Sequence, residues 1–186
     1  MAISAAAAAT AAAQSPARDA VAAMLGRIDA LSARGDLADV ELSRRFRAIA
    51  GDHMDRSHMA SAALGGAALR LSPAEWQRYA AAFDVHMGLG FAAGVREYGA
   101  SESRVLGERV TPAGKTVVIA RIRSKAREQD TVFYMCDRKP SLVCDVEVNG
   151  VRASARQRTD FLRMLDDQGL DALIEALKAG RLVEVR

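Results

Sequence analysis

The sequence is poor in the residues that carry chemistry, with three histidines, two cysteines and one tryptophan. His53 and His58 stand five positions apart, a poor spacing for two ligands on one helical face, and neither has a cysteine or carboxylate at the separations of a zinc site. No metal is expected, and His53, His58 and His86 read as surface or partly buried side chains. No Gly-x-Ser-x-Gly elbow, P-loop or dinucleotide fingerprint occurs, so no cofactor is expected either. The 26 basic and 23 acidic residues nearly cancel. Without the concentrated basic face that nucleic-acid binding usually shows, no nucleic-acid partner is expected. Aromatic residues are scarce, at 5% of a chain that is half apolar, so the interior must be built mainly from Ala, Val, Leu and Met.

Long hydrophobic runs are lacking too. The first fourteen residues are Ala-rich, but too short and weakly apolar to span a bilayer. Their Ala-Thr-Ala and Ala-Ala-Ala triplets match the small-residue pattern ahead of a signal-peptidase cut, although no Lys or Arg precedes them. Residues 1–16 are expected to be the remnant of an export signal, or else a disordered Ala-rich tail on a cytoplasmic protein. Residues 17–186 are expected to form one domain, long enough to bury a substantial core without staples.

What is present begins with helices. Ser15-Pro16 opens one that carries Val21, Met24, Leu25, Ile28 and Leu31 at helical spacing and ends near Gly35. A second starts near Asp39 with Leu42, Phe46 and Ile49 on one side, and a third near Asp55 runs through Met59 and Leu64 to Gly65-Gly66. Ser72-Pro73-Ala74-Glu75 is a capping box with Pro at the first helical position. From it Trp76, Tyr79, Phe83, Met87, Phe91 and Tyr98 recur as one stripe. Gly88, Gly90 and Gly94 interrupt this run, each at a cost of roughly 1 kcal/mol against Ala. Something is therefore expected to approach the backbone there, either a neighbouring helix or strand or an apolar ligand.

Two hairpins follow. Residues 104–110 and 115–122 flank a Pro- and Gly-containing turn, and residues 130–136 and 142–148 flank a turn at 137–141. Four strands in succession predict an antiparallel meander, and the second and third are apolar at both parities, so both faces are expected to be covered at the centre. Asn149-Gly150 ends the last strand, and a helical pattern runs to Leu177, broken at Gly169 into two short helices. Cys136 and Cys144 are symmetric about Pro140. Such a register sets them opposite one another, with Cβ atoms somewhat farther apart than a disulfide wants, and they read either as a cross-strand disulfide or as two reduced apolar fillers. Arg152, Arg156 and Arg158 cluster after the sheet, either holding a phosphate or an acidic partner, or forming a solvated face.

The ordered series Phe46…His53-Met54-Asp55…Met59…Ala63-Leu64-Gly65, Ser72-Pro73-Ala74-Glu75…Phe83, Tyr98-Gly99, Val105-Leu106-Gly107-Glu108 and Val132-Phe133-Tyr134 resembles the MlaC and toluene-tolerance family, with its hopanoid-associated branch. The resemblance continues in Asp145-Val146…Val148-Asn149-Gly150-Val151, Arg158…Phe161 and Gly169-Leu170-Asp171-Ala172-Leu173-Ile174. The chain departs from the family at Gly66-Ala67-Ala68, where Tyr-Trp is common, and at Leu142, where Trp is common. The resemblance implies an α+β fold, a curved antiparallel sheet of about four strands packed with helices around an apolar cavity in an NTF2-like cone. It implies a periplasmic carrier that holds a phospholipid by its acyl chains and works with an inner-membrane ABC transporter complex and an outer-membrane lipoprotein complex. The residues expected to line the cavity are Met59, Leu64, Phe83, Met87, Phe91, Val118, Val132, Tyr134, Val146, Val151, Phe161 and Leu165, with Arg152, Arg156 and Arg158 toward the headgroup or a partner. Two rivals remain: a binder of hopanoids or other polycyclic lipids, and a small isomerase- or dehydratase-like enzyme of similar fold using Asp145 or Asp84 as its lone carboxylate.

Overall fold

A computed structural model describes residues 15–183, so the Ala-rich segment lies almost wholly outside the described residues. Helices α1 (Pro16–Ser32), α2 (Asp39–His53) and α3 (Arg56–Leu64) come first, then a 3-10 helix (Gly65–Arg70) and the long α4 (Pro73–Tyr98). Strands β1 (Ser101–Val110), β2 (Thr116–Ser124), β3 (Glu128–Cys136), β4 (Lys139–Val148) and β5 (Val151–Arg152) form one antiparallel sheet in sequence order. Helix α5 (Ala153–Lys178) closes the described chain and breaks at Gly169, whose φ of 85° only glycine adopts freely. The α+β architecture expected from the sequence is the one observed.

Local chemistry places these elements. Ser15 caps α1, Asp55 caps α3 by accepting from His58 N at 3.0 Å, and Ser72 and Glu75 exchange both capping-box hydrogen bonds at the start of α4. The fifth strand is an addition to the expected four. Asn149 and Gly150 have φ of 53° and 76°, and two successive positive φ values turn the chain back sharply, so that Val151 pairs with Val148 and Arg152 with Glu147.

Helix α1 contacts β1 at one edge of the sheet and β4 near the other, as well as β2 between them, so the sheet curves around it. Asp29 on α1 ties this arrangement to β1, accepting from Ser103 N at 2.7 Å and from the hydroxyls of Ser101 and Ser103. Val118, Ala120, Phe133, Met135 and Val143 join the helices' Met24, Leu42, Leu64, Phe83, Phe161 and Leu173 in one buried core. Of the opposite parity, Ile119, Val132 and Tyr134 are only half-buried, while Val117 is fully buried beside Tyr134. That outer face is clad by ion pairs and rings, with Arg121 bidentate on Asp130 and Arg152 stacked over Tyr134. Helices thus cover one face where the sequence suggested two.

The second hairpin is tighter at its loop and less regular in its ladder than expected. β4 begins at Lys139, directly opposite Cys136, and Pro140 lies inside it. Met135 then pairs with Val143 and Tyr134 with Asp145, so that residues 140–142 are extra on the β4 side and Cys144 bulges. Cys136 and Cys144 are not register partners, yet they are joined as a disulfide with Cα atoms 5.1 Å apart. The bulge moves Cys144 back toward Cys136 where the regular ladder fails. The junction between α2 and α3 docks on the same strand, Asp55 N donating to Val143 O at 2.9 Å.

Candidate functional site

The C-terminal half of α4 is where the core comes to the surface. Gly88 lies against α2: a Cβ there would meet the Ser43 carbonyl oxygen at 2.9 Å as well as the Ser43 hydroxyl. Gly90 and Gly94 meet nothing within 4 Å. The three glycines thus divide, one accepting a helix and two bordering open clefts.

Gly90 borders a cleft of about 270 Å³, together with His86, Met87, Phe161, Arg156 and Leu182. Gly94 borders a second, of about 210 Å³, with Phe91, Val95, Tyr98, Ile122 and Ser101. Met87 lines the first and Phe91 the second, both half-buried against the core, and the Phe91 ring stacks on Phe46 at 4.6 Å. Each cleft is smaller than the roughly 300–1,000 Å³ of sites that enclose a drug-sized ligand. Taken together they define an apolar seam along α4, closed over the sheet at one end and over α5 at the other.

The expected lining residues fall into three groups. Met59, Leu64, Phe83, Val118 and Phe161 are buried in the closed core. Met87, Phe91, Val146 and Leu165 are half-buried against it, and of these Met87 and Phe91 border the clefts. Val132 and Tyr134 stand on the other face of the sheet: Val132 pairs with Ile119 and Tyr134 with Val117, whereas Val118 pairs with the buried Phe133. Strand alternation therefore forbids them from sharing one cavity with Val118. Val151 on β5 is exposed.

The three arginines part ways. Arg152 precedes α5 and is not one helical turn from Arg156; its guanidinium lies 3.8 Å from the Tyr134 ring centre on the outer face. Arg158 donates twice to the Ala62 carbonyl, at 2.7 and 3.1 Å, and packs under Gly65, fastening α5 to the end of α3. Only Arg156 borders a cleft, exposed and without an ion-pair partner among the described residues.

The two carboxylates considered for catalysis are held by structure. Asp145 is buried and accepts from Val146 N at 2.9 Å, Ser154 N at 3.3 Å and the Ser154 hydroxyl at 2.6 Å, holding the first turn of α5. Asp84 pairs with Arg56 of α3 and with Arg47 of α2.

His86 is the residue that sequence reasoning misses. It lies three positions after Phe83 on the stripe of α4, is 5% exposed, and packs edge-on against Phe161 at 5.5 Å. Burial pushes its pKa down to about 4, so the ring is neutral. Its Nδ1 is sealed without a hydrogen-bond partner. A polar residue on an otherwise apolar stripe was the available signal, but no sequence pattern distinguishes it from an ordinary core histidine.

A curved antiparallel sheet wrapped on a layer of helices defines a class of small α+β domain. A solved member is the phospholipid-binding protein from Ralstonia solanacearum in complex with a phospholipid, which superposes with a TM-score of 0.74 at 13% identity, covering 88% of this chain and 96% of that one. The sequence settles the family: residues 18–179 match the model of the MlaC protein family, and the chain belongs to it. No curated protein sequence matches the chain. Among the described residues no helix is long and apolar enough to cross a membrane.

Proposed function

We propose that this protein is a periplasmic carrier that binds a phospholipid by its acyl chains and moves it between membranes. The observation that carries this reading is the seam along α4, where half-buried Met87 and bare Gly90 line one cleft and half-buried Phe91 and bare Gly94 line the next. Membership of the MlaC family and a fold shared with a protein solved in complex with a phospholipid support it. Displacing Met87 and Phe91 joins the clefts and admits tails toward Phe83, Phe161 and Val118. Each CH₂ then buried contributes about 0.8 kcal/mol, so parts of two tails hold a lipid without a charged group inside. In this reading the lipid is exchanged with an inner-membrane ABC transporter complex and an outer-membrane lipoprotein complex, the partners that family membership suggests.

The test is native mass spectrometry of the protein purified from a periplasmic extract, followed by organic extraction and lipid identification. One phospholipid per chain is the expected result. A co-purifying hopanoid would reassign the site to a polycyclic lipid. An apo mass that gains nothing on incubation with phospholipid would overturn the carrier reading.

A further inference from the structure

His86 stands at the end of the cleft between α4, the start of α5 and the segment at Leu182 and Val183. It is 5% exposed, and neither ring nitrogen has a hydrogen-bond partner among the described residues. A neutral imidazole carries one N–H. On the sealed Nδ1 that proton would be a buried donor with no partner, whereas on Nε2 it faces the cleft and can find one. The proton therefore belongs on Nε2, which is left to meet whatever enters the cleft.

The rest of the cleft defines what that is. Met87, Phe161, Leu182 and Val183 give it apolar wall on one side, and Gln157 stands with Arg156 and Asp160 on the polar side. The carboxylate of Asp160 is held by Arg163 at 2.7 Å, while Arg156 is free of carboxylate partners among the described residues and exposed. A neutral donor in an apolar wall with a free guanidinium beside it suits a group that offers only acceptor oxygens, uncharged near the tails and anionic toward water. We propose that His86 and Arg156 together anchor the ester and phosphate oxygens of a bound phospholipid, His86 donating through Nε2 and Arg156 meeting the phosphate. This rests on the carrier reading above and adds to it the polar contact that orients the lipid.

The test is imidazole ¹⁵N NMR on the full chain, lipid-free and loaded with phosphatidylethanolamine, with lipid retention followed in parallel by native mass spectrometry. On loading, the His86 Nε2–H is expected to move downfield and exchange more slowly with water. Losing one such hydrogen bond corresponds to about three- to tenfold weaker retention, expected for His86→Phe, while His86→Gln, which keeps a donor near Nε2, retains lipid. Arg156→Gln is expected to weaken retention of phosphatidylethanolamine without moving the His86 signal of the lipid-free protein. If lipid loads and the His86 resonance stays put, the anchor is overturned and the carrier reading stands; this wild-type measurement decides even where a variant folds poorly. If no lipid loads, both fall. If inorganic phosphate or glycerol phosphate alone produces the same change at comparable concentration, the site belongs to a free anion and the lipid assignment is overturned.

Discussion

Gly88 and Gly90 sit two residues apart in one helix and answer opposite demands. At Gly88 the α2 backbone lies so close that a Cβ would meet the Ser43 carbonyl at 2.9 Å, a contact relieved only by moving α2. At Gly90 the same Cβ meets nothing within 4 Å. Gly90→Ala removes the entropic cost of glycine in a helix and is expected to stabilise by up to about 1 kcal/mol. Gly88→Ala gains the same benefit but forces the helices apart, and is expected to destabilise by about 1–3 kcal/mol. Urea unfolding midpoints of the two variants check the pair; equal changes of the same sign would contradict the packing described. Arg158 makes a similar point, since a side chain grouped by sequence with two other candidate phosphate contacts directs its donors to the Ala62 carbonyl.

The β3–β4 hairpin is held at its irregular end by the bond between Cys136 and Cys144, where the ladder slips by several residues. A cross-link closing so short a loop stabilises by about 2–3 kcal/mol through the unfolded chain. That end also carries the docking of α2 and α3, through Asp55 N on Val143 O and Lys139 on Asp55 at 3.2 Å. Replacing both cysteines by serine is expected to lower stability by that amount, read from denaturant unfolding under oxidising conditions, while reductant lowers the native protein to the same level. An unchanged midpoint on reduction would show that the bulged end is held by its helix contacts alone. Next to Cys144, Asp145 joins β4 to α5, so that the sheet positions the helix whose Phe161 borders the seam.

Stability of the whole molecule should depend on mildly acidic pH through its buried histidine. The folded pKa of His86, about 4, lies below its ordinary value of 6.5 because burial penalises the imidazolium. His53 is moved in the same direction, by burial first and then by Arg27. The folded state therefore binds fewer protons than the unfolded one in this window, so stability is full above pH 6.5 and falls as pH drops toward 4. Each tenfold loss of proton affinity on folding corresponds to about 1.36 kcal/mol, which caps the His86 contribution at about 3 kcal/mol. Melting temperature measured across this range should fall steadily in the native protein and more shallowly in His86→Phe; parallel curves would remove His86 as the cause. The surface carboxylates behave differently. Glu41, held at about 2 by Arg44 and Arg45, stays ionised throughout the window.

Much of this protein was legible in its residues. The starts of α1 and α4, the first hairpin turn and the break at Gly169 follow from caps, prolines and glycines acting on neighbours a few positions away, and such interactions are written in local sequence. Asn149-Gly150 was legible as well, although its turn adds a fifth strand. Tertiary structure alone decided the rest. Whether Val132 shares a face with Val118 depends on the cross-strand register. So does the way Cys144 reaches Cys136, through a bulge that no symmetry about Pro140 foretells. Arg152, Arg156 and Arg158 were sent to a ring, a cleft and a carbonyl by partners that lie elsewhere in the chain, and His86 was left neutral and unpartnered because α5 packs Phe161 against it. A single sequence does not record these long-range contacts, and they are what decide which side chains remain free to meet a ligand.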